Sequence, residues 1–164
     1  MSETLNELPT FVVPLQKSNI LVPNATVAEI IPYEPLQRVQ DTADWFLGIL
    51  AWRGVQVPVV SFEMLTVERA SFSLVSVSSA SLVVIRAPRR TGDVQYIALV
   101  SQALPRLVRI NPTELTESGE KIELTELMKV RYGDEVLAIP DLDYVESEVC
   151  RVAFGDEEKS PNLA

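Results

Sequence analysis

The stretch Gly48-Ile-Leu-Ala-Trp-Arg-Gly-Val-Gln-Val-Pro-Val-Val-Ser61 decides how the rest of the chain is read. Two apolar runs, 49–52 and 55–60, flank Gly54, which reaches the positive φ of a tight turn without a Cβ penalty. The segment therefore predicts a β-hairpin. Its second run puts Val55, Val57 and Val59 on one face and Gln56 and Pro58 on the other, the period of two that a strand imposes. Pro58 has no amide hydrogen, which places one side of that strand at an edge or a bulge. Arg53 is left at the hairpin tip, a cation on rigid scaffold between an indole and a glycine.

Working toward the N-terminus, 27–31 reads Val-Ala-Glu-Ile-Ile, the end of a strand predicted over 20–31 with a bend at Pro23-Asn24. An earlier strand over 11–16 is expected to pair with it antiparallel through a turn at 17–19. Pro32 and Pro35 stop the ladder, and 36–44 reads as a loop or a short helical turn. Residues 1–9 are expected to be a flexible lead-in.

Toward the C-terminus, Ser61 is placed to cap a helical turn over 62–65, with Glu63 near its positive end. Segment 67–80 is serine-rich and interleaved with Phe72, Leu74, Val75 and Val77. It reads as an irregular crossover between two sheets or as an edge strand. Strands follow at 81–86, 94–100 and 104–110, then a loop over 114–121. A hairpin over 127–132 and 135–139 turns at Gly133-Asp134, a favoured two-residue loop. Leu142, Val145 and Val149 have helical spacing, so 141–149 predicts a helix, and 155–164 reads as a solvated acidic tail.

Composition removes several functional classes. Hydrophobic residues at 47% against 23% charged describe one globular domain, with valine and isoleucine biasing it toward β. A net charge of −9 argues against nucleic acid, whose phosphates demand a basic footprint. The acidic first residues do not resemble a signal peptide, and no apolar run nears the ~18 residues of a membrane span. The expected location is the cytoplasm, without direct membrane insertion. The single Cys150 cannot pair within the chain, which fits a reducing compartment.

The absence of histidine removes the usual general base at neutral pH and the commonest transition-metal ligand. No phosphate-cradling glycine loop and no nucleophile elbow occur. Asp141, Asp143 and Glu29 are the nameable acid–base candidates, but the first two fit a solvated helix start. No catalytic residue, metal or cofactor is therefore assigned, and the protein is read as a non-enzyme. Trp45, Phe46 and Trp52 fit either a β core or an interface hot spot.

The hairpin and the Val27-Ala-Glu29-Ile segment together carry a resemblance to the CheW-like adaptor domains of bacterial chemosensory systems. That family shows a glycine, a short apolar strand, Arg-Gly, two residues, an apolar residue, Pro-Val, an apolar residue and Asp-Leu, preceded by Val-x-Glu-Ile. Here the pattern is Gly48, the strand 49–52, Arg53-Gly54, Val57, Pro58-Val59, Val60 and Ser61-Phe62. The resemblance implies a mainly β fold of two small SH3-like five-stranded barrels packed side by side, within a single domain over 10–150. The first barrel would hold 10–66 plus a C-terminal return, and the second 81–140, joined through 67–80.

The resemblance further implies an adaptor that couples the cytoplasmic tip of a chemoreceptor, a methyl-accepting protein, to a CheA-like histidine kinase at membrane-bound receptor arrays. Val27, Glu29, Gly48 and Arg53 match motif positions near those contacts, and Trp52 stands beside them as a protein-binding candidate. Glu29 is expected to orient the Arg53 guanidinium by a bidentate contact. The chain departs from the pattern at Trp52, usually leucine, Ala51, usually asparagine, and Ser61, usually aspartate. Where the family commonly has Gly-x-x-Val-Asp-x-Val, it has Ile-Ala-Leu-Val-Ser101-Gln-Ala, without the acid. These departures point toward a divergent adaptor, one serving pilus-mediated motility. The rival reading is a generic β-barrel interaction module with no chemosensory role.

Overall fold

Several strands of this chain divide their side chains between two cores, and the sequence supplies apolar residues for both. The computed structural model describes residues 7–16, 18–66, 79–90 and 94–163. Eleven strands lie among them: β1 (Leu8–Pro14), β2 (Asn19–Pro23), β3 (Val27–Pro32), β4 (Phe46–Trp52), β5 (Val55–Val60), β6 (Ser81–Arg86), β7 (Tyr96–Ser101), β8 (Arg106–Ile110), β9 (Thr116–Glu117), β10 (Glu126–Tyr132) and β11 (Glu135–Pro140). They form a six-stranded sheet in the order β8-β1-β2-β11-β10-β9 and a five-stranded sheet in the order β3-β6-β7-β5-β4.

On β6, Leu82 and Val84 point into the core of the five-stranded sheet, while Val83 and Ile85 enter a layer shared with the other sheet. On β7, Ala98 and Val100 repeat the first choice, and Ile97 and Leu99 the second. In the six-stranded sheet Val12 and Leu21 face the sheet's own core, whereas Val13, Ile20 and Val22 face the shared layer. Strands buried on both faces read as continuous apolar runs, which is why 81–86 shows no alternation. Each such side chain contributes about 1.5–3 kcal/mol on burial. A one-residue register slip would exchange the two sets.

The fold is mainly β, with two sheets packed together, as the sequence implied. The division between them differs. Strands β1 and β2 belong with β8–β11, and β3–β7 make the other sheet, so the sheets do not follow the expected division into 10–66 with a C-terminal return and 81–140. The predicted single strand over 20–31 is two strands in different sheets, separated by a 3-10 turn at Asn24–Thr26. Pro23 has no amide hydrogen, which ends β2 there and frees the chain to cross. Arg86 fastens the crossover, its Nη1 donating to Ala25 O at 2.9 Å and Val27 O at 3.1 Å.

The serine-rich segment is not the join either, because β5 before it and β6 after it share a sheet. Its residues 67–78, like residues 1–6 of the expected lead-in 1–9, lie outside the described ones, whereas Leu8 and Pro9 already belong to β1. Residues 36–44 contain no helix; Gln37 instead exchanges backbone hydrogen bonds with Ile49 at 2.9 and 2.8 Å. The expected loop over 114–121 contains the two-residue β9, which gives its sheet the sixth strand.

The capped turn after β5 is a helix at Phe62–Thr66, where Ser61 Oγ accepts from Met64 N at 3.2 Å. The terminal helix, Leu142–Leu163, starts with Asp141 Oδ1 accepting from Tyr144 N at 3.1 Å. Val145 and Val149 anchor it on the shared layer. It does not stop before the acidic stretch 155–164. Its backbone stays helical through Gly155, which costs about 1 kcal/mol relative to alanine, and through Pro161, which costs about 3 kcal/mol. Among the described residues no helix is long and apolar enough to cross a membrane.

Candidate protein-interaction site

The β4–β5 hairpin turns at Arg53-Gly54, and both residues have positive φ, +49 and +77. That pair of angles belongs to the two-residue turn whose twist matches the flanking strands, and Asn-Gly is its favoured sequence. Gly54 has open space around its Cα and serves the angle alone. Arginine at the first position works against the backbone, which makes its side chain the informative part.

β3 and β4 are the two ends of the five-stranded order, yet Glu29 of β3 meets the tip of β4. Glu29 Oε1 accepts from the Trp52 indole Nε1 at 2.8 Å and lies 3.0 Å from Arg53 Nη2. One carboxylate oxygen serves both donors, so the contact with Arg53 is single and not the bidentate one expected from the sequence. The guanidinium carbon also sits 5.0 Å from the centre of the Trp52 ring, within cation–π range. Tyr96 of β7 packs edge-on against the same indole, with centroids 4.8 Å apart at 64°.

Burial separates the roles. The Trp52 side chain is core, 8% exposed and packed with Leu50, Val57 and Val59. Arg53 is 67% exposed and Glu29 36%. An ion pair this open contributes roughly 0–1 kcal/mol to stability. Its value lies in where it holds a charge.

Of the five sequence-predicted site residues, the structure brings Glu29, Trp52 and Arg53 together. Val27 starts β3 ahead of a bulge, packs against the shared layer and lends its carbonyl to Arg86. Gly48 has φ +151, and a Cβ there would stand 2.6 Å from Gln37 O. Its glycine is required by the strap 36–38 lying on β4. Trp45 and Phe46 are buried in the shared layer. Tyr96 escaped the sequence reading because nothing local reveals that β7 runs parallel beside β5.

A second polar cluster occupies the place of the missing acid. Ser101 is fully buried, and its hydroxyl faces two carbonyl oxygens, Pro14 O at 3.3 Å and Ala103 O. Gln102 N donates to Pro14 O at 2.9 Å and its Nε2 to Glu63 Oε1 at 3.3 Å, while Glu63 Oε2 accepts from Gln16 N at 2.8 Å. These bonds tie the end of β7 to the end of β1, joining the sheets. A carboxylate at 101 would offer lone pairs to oxygens that need a donor.

A cleft of about 740 Å³ lies along the other flank of the hairpin, lined by Phe46, Ile49, Val55, Pro58 and Val152, with Asp41 also in its lining. Among the described residues no group of three or more histidine, cysteine, aspartate or glutamate side chains could hold a metal ion.

Two packed sheets thus carry an exposed arginine, in contact with Glu29 and Trp52, on a hairpin tip. The chain belongs to the CheW-like domain family, whose model matches residues 9–148. Among solved structures it is similar to the scaffolding protein TtCheW from Thermoanaerobacter tengcongensis, with a TM-score of 0.70 at 13% identity over 85% of this chain and 87% of that one. At that identity the likeness is one of fold. No curated protein matches the sequence.

Proposed function

We propose that this protein is a non-enzymatic adaptor that couples the cytoplasmic tip of a chemoreceptor to a CheA-like histidine kinase. Membership of the CheW-like family supports the coupling role, and the solved protein with the same fold is itself a scaffolding protein. The observation that carries the reading is the Arg53 guanidinium, exposed at a hairpin tip and held there by Glu29 and Trp52. A fixed charge of this kind costs a partner little ordering entropy on docking. Glu29 and Arg53 form the contact surface, with Trp52 buried beneath them; Val27 and Gly48 support it through the backbone. The protein works in the cytoplasm, recruited to membrane-bound receptors, and pilus-mediated motility is the output proposed for it.

The test is co-precipitation of the purified protein with the cytoplasmic fragments of the cell's chemoreceptors and with its CheA-like kinases. Retention of one receptor and one kinase by the wild type, lost in Arg53→Ala with an unchanged melt, is the expected result. Retention of neither would reduce the chain to a generic β-barrel interaction module.

A further inference from the structure

We infer that Trp52 and Tyr96 are positioning residues that hold Arg53 for docking, an inference that rests on Arg53 being the contact proposed above. An exposed ion pair by itself does not outweigh the rotamer entropy of an arginine, so Glu29 alone would not immobilise this one. The indole adds two restraints. Its Nε1–H donates to Glu29 Oε1 at 2.8 Å, which fixes the carboxylate, and its ring lies 5.0 Å from the guanidinium carbon, which fixes the plane above it. Tyr96, edge-on at 4.8 Å, holds the indole in turn.

The chain of contacts therefore runs from a buried strand of the sheet to a charge in solvent. Tyr96 sets the ring, the ring sets Glu29, and both set Arg53. Leucine at position 52 would have neither an N–H nor a π face. With Nη2 engaged by Glu29, the other N–H groups of Arg53 remain for an acceptor on the partner, so the complementary group is a carboxylate or a row of carbonyl oxygens.

Nitrogen-15 NMR of the intact protein tests the positioning without any partner, reading the Trp52 Nε1–H shift and the order of the Arg53 Nε–H bond. Trp52→Phe keeps the ring and its packing on Tyr96 but removes the donor. Glu29→Gln keeps an acceptor for the indole but removes the charge, and its half-exposed position spares the fold. Both variants are expected to leave Arg53 as mobile as a free surface arginine and to weaken co-precipitation with the receptor fragment about tenfold, the loss of one charge-assisted hydrogen bond. Tyr96→Leu should shift the indole resonance in the same direction with a smaller effect on Arg53. An Arg53 as ordered in Trp52→Phe as in the wild type overturns the inference, whatever Glu29→Gln shows. An Arg53 released in both variants, with receptor binding unchanged, upholds the positioning and overturns Arg53 as the docking contact.

Discussion

Arg53 reaches Glu29 Oε1 at 3.0 Å from a backbone held in the left-handed region, at φ +49. The turn would be more stable with asparagine at that position, because left-handed φ costs an ordinary residue about 1 kcal/mol that asparagine largely avoids. Arg53→Asn is therefore expected to leave stability within about 1 kcal/mol of the wild type, the relieved turn offsetting the lost ion pair and cation–π contact, while abolishing coupling. A variant that is both destabilised beyond that range and uncoupled would assign Arg53 to the scaffold. Calorimetry beside receptor co-precipitation separates the two.

Gly48 makes the opposite prediction, of a loss that belongs to the fold. Alanine would place its Cβ 2.6 Å from Gln37 O at φ +151. Overpacking and left-handed strain together give a destabilisation of about 2–4 kcal/mol. Urea unfolding should show it, and any loss of coupling should follow the unfolded fraction. A Gly48→Ala protein with a normal melt and no coupling would place residue 48 in the interface.

Restoring the acid at position 101 is expected to harm this chain. Ser101→Asp sets a buried carboxylate against Pro14 O and Ala103 O, with no donor offered by either. The cost of an uncompensated buried charge is about 3–5 kcal/mol, and lowering the pH until the group protonates should recover part of it. The sign follows from a folded-state pKa raised by burial: the penalty is full above that pKa and fades as pH falls toward the unfolded value. Stability independent of pH between neutrality and mild acid would show that the joint rearranges.

Glu146 anchors the terminal helix. It is 1% exposed, and its Oε1 accepts from Arg89 N at 2.7 Å. Glu146→Ala leaves that amide without the bond and should cost about 1–3 kcal/mol, whereas Glu146→Gln keeps an acceptor and should cost visibly less. Equal losses in denaturant titrations would mean that charge, not the hydrogen bond, holds the helix.

Local chemistry made the hairpins readable. Positive-φ glycines, the alternation of 55–59 and the serine cap at 61 are all decided within a few residues, and the structure keeps each of them. Sheet membership was not readable, because Pro23-Asn24 looks alike as a bend within a strand and as a passage between sheets. What decides is a distant pairing, Val22 with Phe11 and Val27 with Ile85. The Glu29–Arg53 contact was within reach, since both residues lay in one motif. Its shared oxygen and Tyr96 were not, because they depend on how the two ends of a curled sheet meet. The continuation of the last helix through Gly155 escaped for a simpler reason: Gly155 and Pro161 are both poor helix formers, and the sequence there carries no local signal that offsets them.

One sheet is built from an unbroken run of chain, β3 to β7, whereas the other takes strands from both sides of that run, pairing Asn19 with Leu137. On the ribosome the uninterrupted sheet has all its strands once residue 101 has emerged. The split one must keep β1 and β2 waiting until Glu135–Pro140 is made. Closing that long loop is the slow step that topology imposes, and it leaves the edge of β2 open in the meantime. The hairpin that carries Arg53 therefore has every neighbour of its own sheet while β2, already paired with β1, still lacks its partner on the other side.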